Sequence, residues 1–429
     1  MIYIQSKYRS SRLSYVLDYV FTYRLGIDWK YYSDDSGLQA PVLQYSENAA
    51  SGFCIYDSGL LKETEIKEFE PRIQSTEDKT YLFPSRSEEF SLDFDFFSAV
   101  FYLLSRYEEY LPYKKDIHGR FDTEQSFAFR HGFHSRAIID EWLLEFKENL
   151  LKHFPDLEFR NERFDYELTI DVDMVFSYRG KGFARNAAGY VRDSLSFRLD
   201  AMWRPIVLMG LKKDPFDTFK YLKKLEKKSK TPFIYFVLFA KERSQFDKNT
   251  KRSHRETQQK IKSLAQKNQL GLHPSYSGDP VEEKHALEQV CKKPVNISRQ
   301  HYLKMNLPET YENLISAGFT DDYTMGFASI PGYRAGTSRP FRFFNLKENS
   351  ETQFTIHPFS VMDGSYKDYN DLPIKEVREK LISEIDYLKK YNGRFCMLLH
   401  NETMSESHRW LGWQGLIEDV IDYANKELL

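Results

Sequence analysis

Cysteine is scarce. Cys54, Cys291 and Cys396 are the only three in 429 residues, and they stand far apart. That number excludes a disulfide framework and a cysteine-based zinc site. Long hydrophobic runs are missing too. The longest, Phe96 to Leu104, is far too short to span a bilayer. Near the start, Lys7, Arg9, Arg12 and Asp18 interrupt any apolar stretch. No secretory signal is read there, so a cytoplasmic location is expected. Neither sign of charge dominates: Lys+Arg is 61, Asp+Glu is 63, and the net charge is −2. Such a balance argues against a dedicated nucleic-acid or anionic-membrane binder. No fixed-period repeat or low-complexity segment occurs. What the chain does have is core material. It is 41% hydrophobic and 16% aromatic, richer in aromatics than a disordered chain. Its length suggests two or three domains.

The two halves read differently. Residues 1–160 mix brief strand-like pieces with helices and predict a smaller α/β domain. Helices are expected at Arg12–Phe21, Phe94–Tyr110 and Trp142–Phe154, and a small sheet within 35–92. Residues 161–429 are more regular. Strand-like runs fall at Tyr166–Ile170, Phe233–Phe239, Leu270–Leu272, Asn296–Ser298, Phe319–Tyr323, Phe354–Ile356 and Phe395–Leu399. Helical patterns separate them. The clearest is Ile374–Tyr391, with Val377, Leu381, Ile385 and Leu388 on one face and Asn392-Gly393 as a stop. Seven strands alternating with helices predict an α/β fold with a parallel sheet, here a distorted (β/α)7 barrel. Such barrels carry their chemistry at the C-terminal ends of the strands.

The strand ends meet that expectation. The first closes in Thr169-Ile-Asp171-Val-Asp173, the third in Gly271-Leu-His273-Pro-Ser275. The fourth closes in Ser298-Arg299-Gln-His301, the sixth in His357-Pro358, the seventh in Leu398-Leu-His400. Four of the 11 histidines sit in these places. Asp171 and Asp173, two apart, face one side of a regular strand. Two carboxylates that close do not both ionise cheaply unless a cation or proton separates them. A divalent metal resolves the conflict, and His273 suits zinc. One carboxylate then binds the ion and the other takes a proton from water. His400, across the rim, is placed to protonate a leaving group. His357 is read as shaping a loop. His118, His131, His134, His153, His254, His285 and His408 are read as structural. Lys223, Lys224, Lys227, Lys228 and Lys230 form a solvated helix face, and the spacing of Trp410 and Trp413 favours core packing.

With these residues in place, 164–402 resembles the NodB-type polysaccharide deacetylases, carbohydrate esterase family 4. Thr169-Ile-Asp171-Val-Asp173 is similar to the first motif of that family. The resemblance implies Asp171 as general base and Asp173 as metal ligand. His273-Pro-Ser-Tyr-Ser277 is similar to the second motif, but Ser277 stands where the family has a second histidine. Ser298-Arg299-Gln-His301-Tyr302 is similar to the third, an arginine before an aromatic. Leu398-Leu399-His400 matches the last and implies His400 as the catalytic acid. The whole chain resembles a bacterial subgroup, common in Bacteroidetes, with an extra N-terminal domain of unknown function. Ser105-Arg-Tyr-Glu-Glu-Tyr-Leu-Pro112, Asp116-Ile-His-Gly-Arg-Phe121 and Gly332-Tyr-Arg-Ala-Gly336 carry that likeness.

The missing ligand has a substitute in His301, at the end of the adjacent strand, giving Asp173, His273 and His301 as the expected trio. Arg299 is expected to orient Asp171. Arg334 either lines the substrate groove with Tyr302 or holds its loop by an ion pair. The resulting expectation is a metal-dependent hydrolase, on zinc, cobalt or nickel, that removes N-acetyl groups from an amino-sugar glycan. Two alternatives stand beside it. One is a catalytically silent barrel that binds a glycan or a partner in envelope-polysaccharide assembly. The other is a hydrolase of a different acyl or amide bond.

Overall fold

A computed structural model describes residues 1–32, 41–195 and 203–428, apart from the side chains of Asp193 and His408. The expectations for His408, and for the part of the small sheet at 35–40, therefore lie outside the described residues. The first half contains β1 (Ile2–Ser6), α1 (Ser11–Leu17), β2 (Trp29–Tyr31), β3 (Val42–Ser46), β4 (Phe53–Tyr56), β5 (Ile73–Ser75), β6 (Thr80–Leu82), α2 (Phe96–Leu104), α3 (Phe127–Arg130) and α4 (Ile138–His153). Four of its strands make a parallel sheet in the order β2-β1-β3-β4, and β5 pairs with β6.

The second half begins with β7 (Asp165–Val172), α5 (Phe183–Leu195), α6 (Trp203–Leu208), α7 (Phe219–Lys228), β8 (Phe233–Leu238), α8 (Arg255–Lys267) and β9 (Gln269–His273). It continues with α9 (Pro280–Cys291), β10 (Ile297–Ser298), α10 (Glu309–Ser316), β11 (Asp321–Asp322), β12 (Phe341–Asn345), β13 (Ser350–Ile356) and β14 (Val361–Met362). It closes with α11 (Ile374–Lys390), β15 (Arg394–His400) and α12 (Trp413–Glu427). All seven expected strands lie in one sheet, ordered β12-β13-β11-β10-β9-β8-β7-β15-β14. The sheet curls into a half-barrel. Its two further strands occupy the edges, where β12 is antiparallel to β13 and β14 is two residues long. Among the described residues no pairing joins β12 to β14.

Alternation along the strands decides what each face carries. In β7, Tyr166, Leu168, Ile170 and Val172 enter the main core, packed against the outer helices. Glu167, Thr169 and Asp171 take the other face. In β8, Phe233, Tyr235 and Val237 point to that core, while Ile234 and Phe236 form a small cluster inside the curl with Ile297 and Tyr323. Cys396 and Leu398 of β15 join a second inner cluster with Leu303, Ala328, Phe359 and Met362. The inner face is thus apolar on its floor and polar at its C-terminal rim. Outside, α11 buries the stripe Val377, Leu381, Ile385 and Leu388.

The main core runs without a break through both halves. Two of the strings singled out in the sequence, 105–112 and 332–336, meet at their junction. Arg334 donates to both carboxylate oxygens of Glu109, at 2.8 and 2.6 Å, and Arg106 donates to Glu109 at 2.8 Å. Arg106 also pairs with Glu108, which accepts the backbone N–H of Phe127 at 2.6 Å. Gly332 adopts φ +146°, and a Cβ there would stand 2.5 Å from the carbonyl oxygen of His134. Only glycine fits so close a crossing. Tyr333 N–H donates to that same oxygen at 2.8 Å.

Candidate metal centre and its flanking acid and base

Register brings the functional groups together. Asp171 of β7 is the direct partner of His400 on β15 and of Phe236 on β8. Leu238 partners His273 at the end of β9, and Leu272 partners Ser298, the residue before Arg299. Partnered side chains share a face, so five neighbouring strands, β10, β9, β8, β7 and β15, bring their C-terminal ends to one rim. Above that rim lies a cavity of about 470 Å³, lined by Asp171, Asp173, His273, His301, Tyr302 and His400 among others.

Asp173, His273 and His301 each offer a ligand atom, all within 4.8 Å of one another. His273 Nε2 is 3.4 Å from Asp173 Oδ1, and His301 Nε2 is 3.7 Å from Asp173 Oδ2. Two donors on a tetrahedral zinc stand about 3.3 Å apart. Each imidazole has its other nitrogen committed. His273 Nδ1 lies 2.5 Å from the carbonyl oxygen of Arg299, and His301 Nδ1 lies 2.9 Å from Asp247 Oδ1. Donation at Nδ1 leaves both Nε2 atoms facing Asp173, where loss of the Nε2 proton to an incoming metal gives the arrangement metal-binding histidines use. Asp173 Oδ1 is buried and has no hydrogen-bond partner. Such an atom is costly unless a cation meets it. The donor set and the orphaned oxygen both fit a divalent metal. Burial works to raise the Asp173 carboxyl, but His301, His273 and His400 outweigh it and hold it well below the usual range. His301 is pushed up to about 9, because Asp173 and Asp247 overcome the burial of its ring.

Two charged groups flank the trio. Arg299 is fully buried and fixed by three acceptors. It donates to Asp171 Oδ1 at 2.8 Å, to Thr169 Oγ1 at 2.8 Å and to the Tyr323 carbonyl at 2.9 Å. Its guanidinium lies 4.5 Å over the Phe236 ring. Asp171 Oδ2 remains turned toward His273, 3.6 Å from its Nε2. On the other flank, Asp363 follows β14 and is fully buried. It accepts the backbone N–H of His400 at 2.7 Å and contacts His400 Nδ1 at 2.8 Å, and Thr403 Oγ1 donates to it as well. Burial alone would lower the His400 pKa. The Asp363 charge reverses that and holds it well above the ordinary histidine value.

The remaining expected residues fall as follows. Tyr302 lines the mouth, with its ring 4.6 Å from that of His301. It belongs to an aromatic set with Phe246, Tyr276 and His118, the last supplied by the first half. Arg120, from the same segment, donates to the Tyr302 carbonyl at 2.7 Å. Arg334 is spent on Glu109 at the junction of the halves. Ser277 is exposed on a turn, outside the trio. His357 pairs with Asp321 at 2.8 Å and stacks on Tyr323, away from the cavity lining. His118, read from sequence as structural, has Tyr276 and Tyr302 as partners.

Asp247 and Asp363 were not foreseen. Asp363 sits in Met362-Asp-Gly364, which reads as a plain turn. Asp247 lies in a loop between β8 and α8 with no strand to place it. An acidic residue just past a strand was the one available signal, and only for Asp363.

Residues 1–155 match a family of unknown function, DUF7033. No curated protein matches the sequence. Three solved structures resemble the fold in part. One, from Mycobacterium smegmatis, is assigned as a polysaccharide deacetylase. It is 15% identical, with a TM-score of 0.40, over 62% of this chain and 86% of that one. Another, from Bordetella bronchiseptica, is assigned as a polysaccharide deacetylase involved in O-antigen biosynthesis. It is 12% identical, with a TM-score of 0.30, over 55% and 71%. The third is a polysaccharide deacetylase from Bacillus cereus, 13% identical, with a TM-score of 0.30, over 60% and 87%. At these scores the reading of this chain rests on its own site. Among the described residues, no helix is long and apolar enough to cross a membrane.

Proposed function

We propose that this chain is a metal-dependent amide hydrolase that removes N-acetyl groups from an amino-sugar glycan, built on a NodB-like variant of the (β/α)7 barrel. One observation carries the reading. A carboxylate fixed by Arg299 and an imidazole charged by Asp363 stand on opposite sides of the Asp173, His273 and His301 trio, inside one cavity. A silent binder has no use for a base and an acid so arranged.

Asp173, His273 and His301 would hold zinc, cobalt or nickel. The metal supplies Lewis acidity, making water a stronger acid and the acetamide carbonyl a better electrophile. Asp171 Oδ2 accepts the proton of the attacking water, while Arg299 keeps Oδ1 in place and so fixes the direction of the lone pair. His400 donates from Nε2 to the departing amine, so C–N cleavage releases acetate and a free amino sugar. Asp363 fixes the tautomer and keeps that proton available. Tyr302, with Tyr276 and Phe246, offers ring faces at the mouth for the neighbouring sugars. Arg334 acts from a distance by docking its loop to the first half. A cytosolic glycan precursor is the substrate this reading favours.

The test is acetate release from N-acetylglucosamine oligosaccharides by protein loaded with zinc, cobalt or nickel. Asp171→Asn and His400→Gln each abolish it if the roles are right. Absence of acetate with all three metals, from protein that binds them, would sink the reading and favour a glycan-binding role.

A further inference from the structure

The connection from β7 to β8 holds α5 and α6, and the metal site makes no use of them. In α5 the usual amphipathic order is inverted. Asn186 is buried against the protein and donates to the Tyr178 carbonyl at 3.0 Å. Gly189 lets the Arg204 guanidinium approach to where a Cβ would stand only 2.7 Å away. The apolar side chains point outward instead. Phe183 is 89% exposed, Val191 56% and Leu195 76%. After α6 the pattern continues, with Met209 64% and Leu211 75% exposed. Of the 16 large hydrophobics exposed among the described residues, eight fall between Phe183 and Leu211. A globular surface helix turns its apolar stripe inward, and a concentrated apolar patch marks an interaction face. Between α5 and α6 runs a groove of about 630 Å³ lined by Phe183, Tyr190, Pro205 and Leu208.

Charge names the partner. Residues 179–195 and 203–213 carry seven basic side chains and one acidic, whereas the whole chain is at −2. Arg185, Arg192, Lys212 and Lys213 are exposed among the apolar side chains, while Arg179 pairs with Glu256. Apolar groups ringed by lysine and arginine suit a bilayer, with the apolar groups below the headgroups and the cations among anionic phosphates. The near-neutral total of the chain hides this local excess.

The insertion is also tied to the site. Asn401, next to His400, donates to the carbonyls of Met174 and Phe216 at 3.0 Å each, clamping both feet of the excursion. Asp214 accepts the backbone N–H groups of Ser177, Tyr178 and Arg179 at 2.6, 2.9 and 3.1 Å. The patch therefore leaves the rim beside the cavity on a fixed base.

We infer that α5, α6 and the chain to Lys213 form a docking element for an anionic phospholipid surface, which the protein binds peripherally. The inference is separate from the hydrolase reading, since vesicle binding needs no substrate and hydrolysis needs no vesicle. The full chain is sedimented with phosphatidylcholine vesicles, with and without about one-third phosphatidylglycerol. Binding to the anionic vesicles is expected, and high salt should weaken it. Two variants alter exposed side chains only. Leu208→Asp, Met209→Asp and Leu211→Asp together remove the apolar part. Arg185→Glu with Lys213→Glu reverses part of the charge. Each should weaken binding about tenfold or more while the circular dichroism spectrum stays unchanged. No sedimentation with anionic vesicles overturns the inference. So does equal binding to neutral vesicles, or equal binding by the apolar variant. Self-association without vesicle binding, abolished by the same apolar variant, overturns it too and assigns the face to a second copy of the chain.

Discussion

Asp363→Asn isolates the acid flank of the site. In the wild type, His400 Nδ1 lies 2.8 Å from Asp363 Oδ1; Asp363 is fully buried and His400 is partly so. Unit charges about 4 Å apart, centre to centre, interact by about 4 kcal/mol at an effective dielectric near 20. Removing the charge leaves burial unopposed, and burial favours the neutral ring. The amide has one acceptor where the carboxylate had two, so it either keeps the His400 backbone N–H or holds the ring, not both. His400 should therefore fall from above the ordinary histidine value to below it. Histidine-selective NMR titration reads this directly, with His400→Gln assigning the resonance. Where hydrolysis is measurable, the alkaline limb of kcat/KM should move to lower pH, and kcat should drop by about 10²- to 10⁴-fold. A His400 pKa within a unit of wild type would refute the charge argument, whatever the activity.

Three further outcomes follow from the same geometry. His301→Ala should abolish stoichiometric zinc by elemental analysis, and Asp247→Ala should weaken zinc about 10- to 100-fold by releasing the ring it orients; unchanged stoichiometry would remove His301 from the site. Arg334→Ala leaves Glu109 buried with Arg106 alone and should cost about 3–5 kcal/mol in urea unfolding, with any substrate KM little changed in protein that still folds. A groove residue would show the opposite pattern. Burial pushes Glu384 up to about 7 in the folded state, against an ordinary value near 4.5. The folded chain then holds a proton that the unfolded chain has lost. Stability should fall as pH rises from about 4.5 to about 7, by about 3 kcal/mol at most, and Glu384→Gln should flatten that slope.

Much of the second half is legible from residues alone because its rules are local. Period-two alternation in β7 and β8, and the stripe on α11, depend on side chains within a few positions of each other. The convergence of Asp171, His273, Arg299 and His400 follows from one topological rule, that parallel strands end at a common rim. Asp247 and Asp363 obey no such rule. A loop carries the first beneath His301, and a two-residue edge strand carries the second beneath His400. The role of Arg334 was undecidable locally, since a buried pair and a groove residue look alike until Glu109 arrives from 225 positions away.

The sequence by itself determined the strand ends, the helix faces and the chemical types gathered at the rim, because each is set by neighbours along the chain. Tertiary structure decided the rest. It left the sheet a curled half-barrel with two extra edge strands, drew His301 to within reach of Asp173 and His273, and placed Asp363 against His400. It also turned the apolar side of α5 outward. Those outcomes depend on which distant groups fill the space around a residue, and burial, charge pairing and hydrogen bonding act through space rather than along the chain.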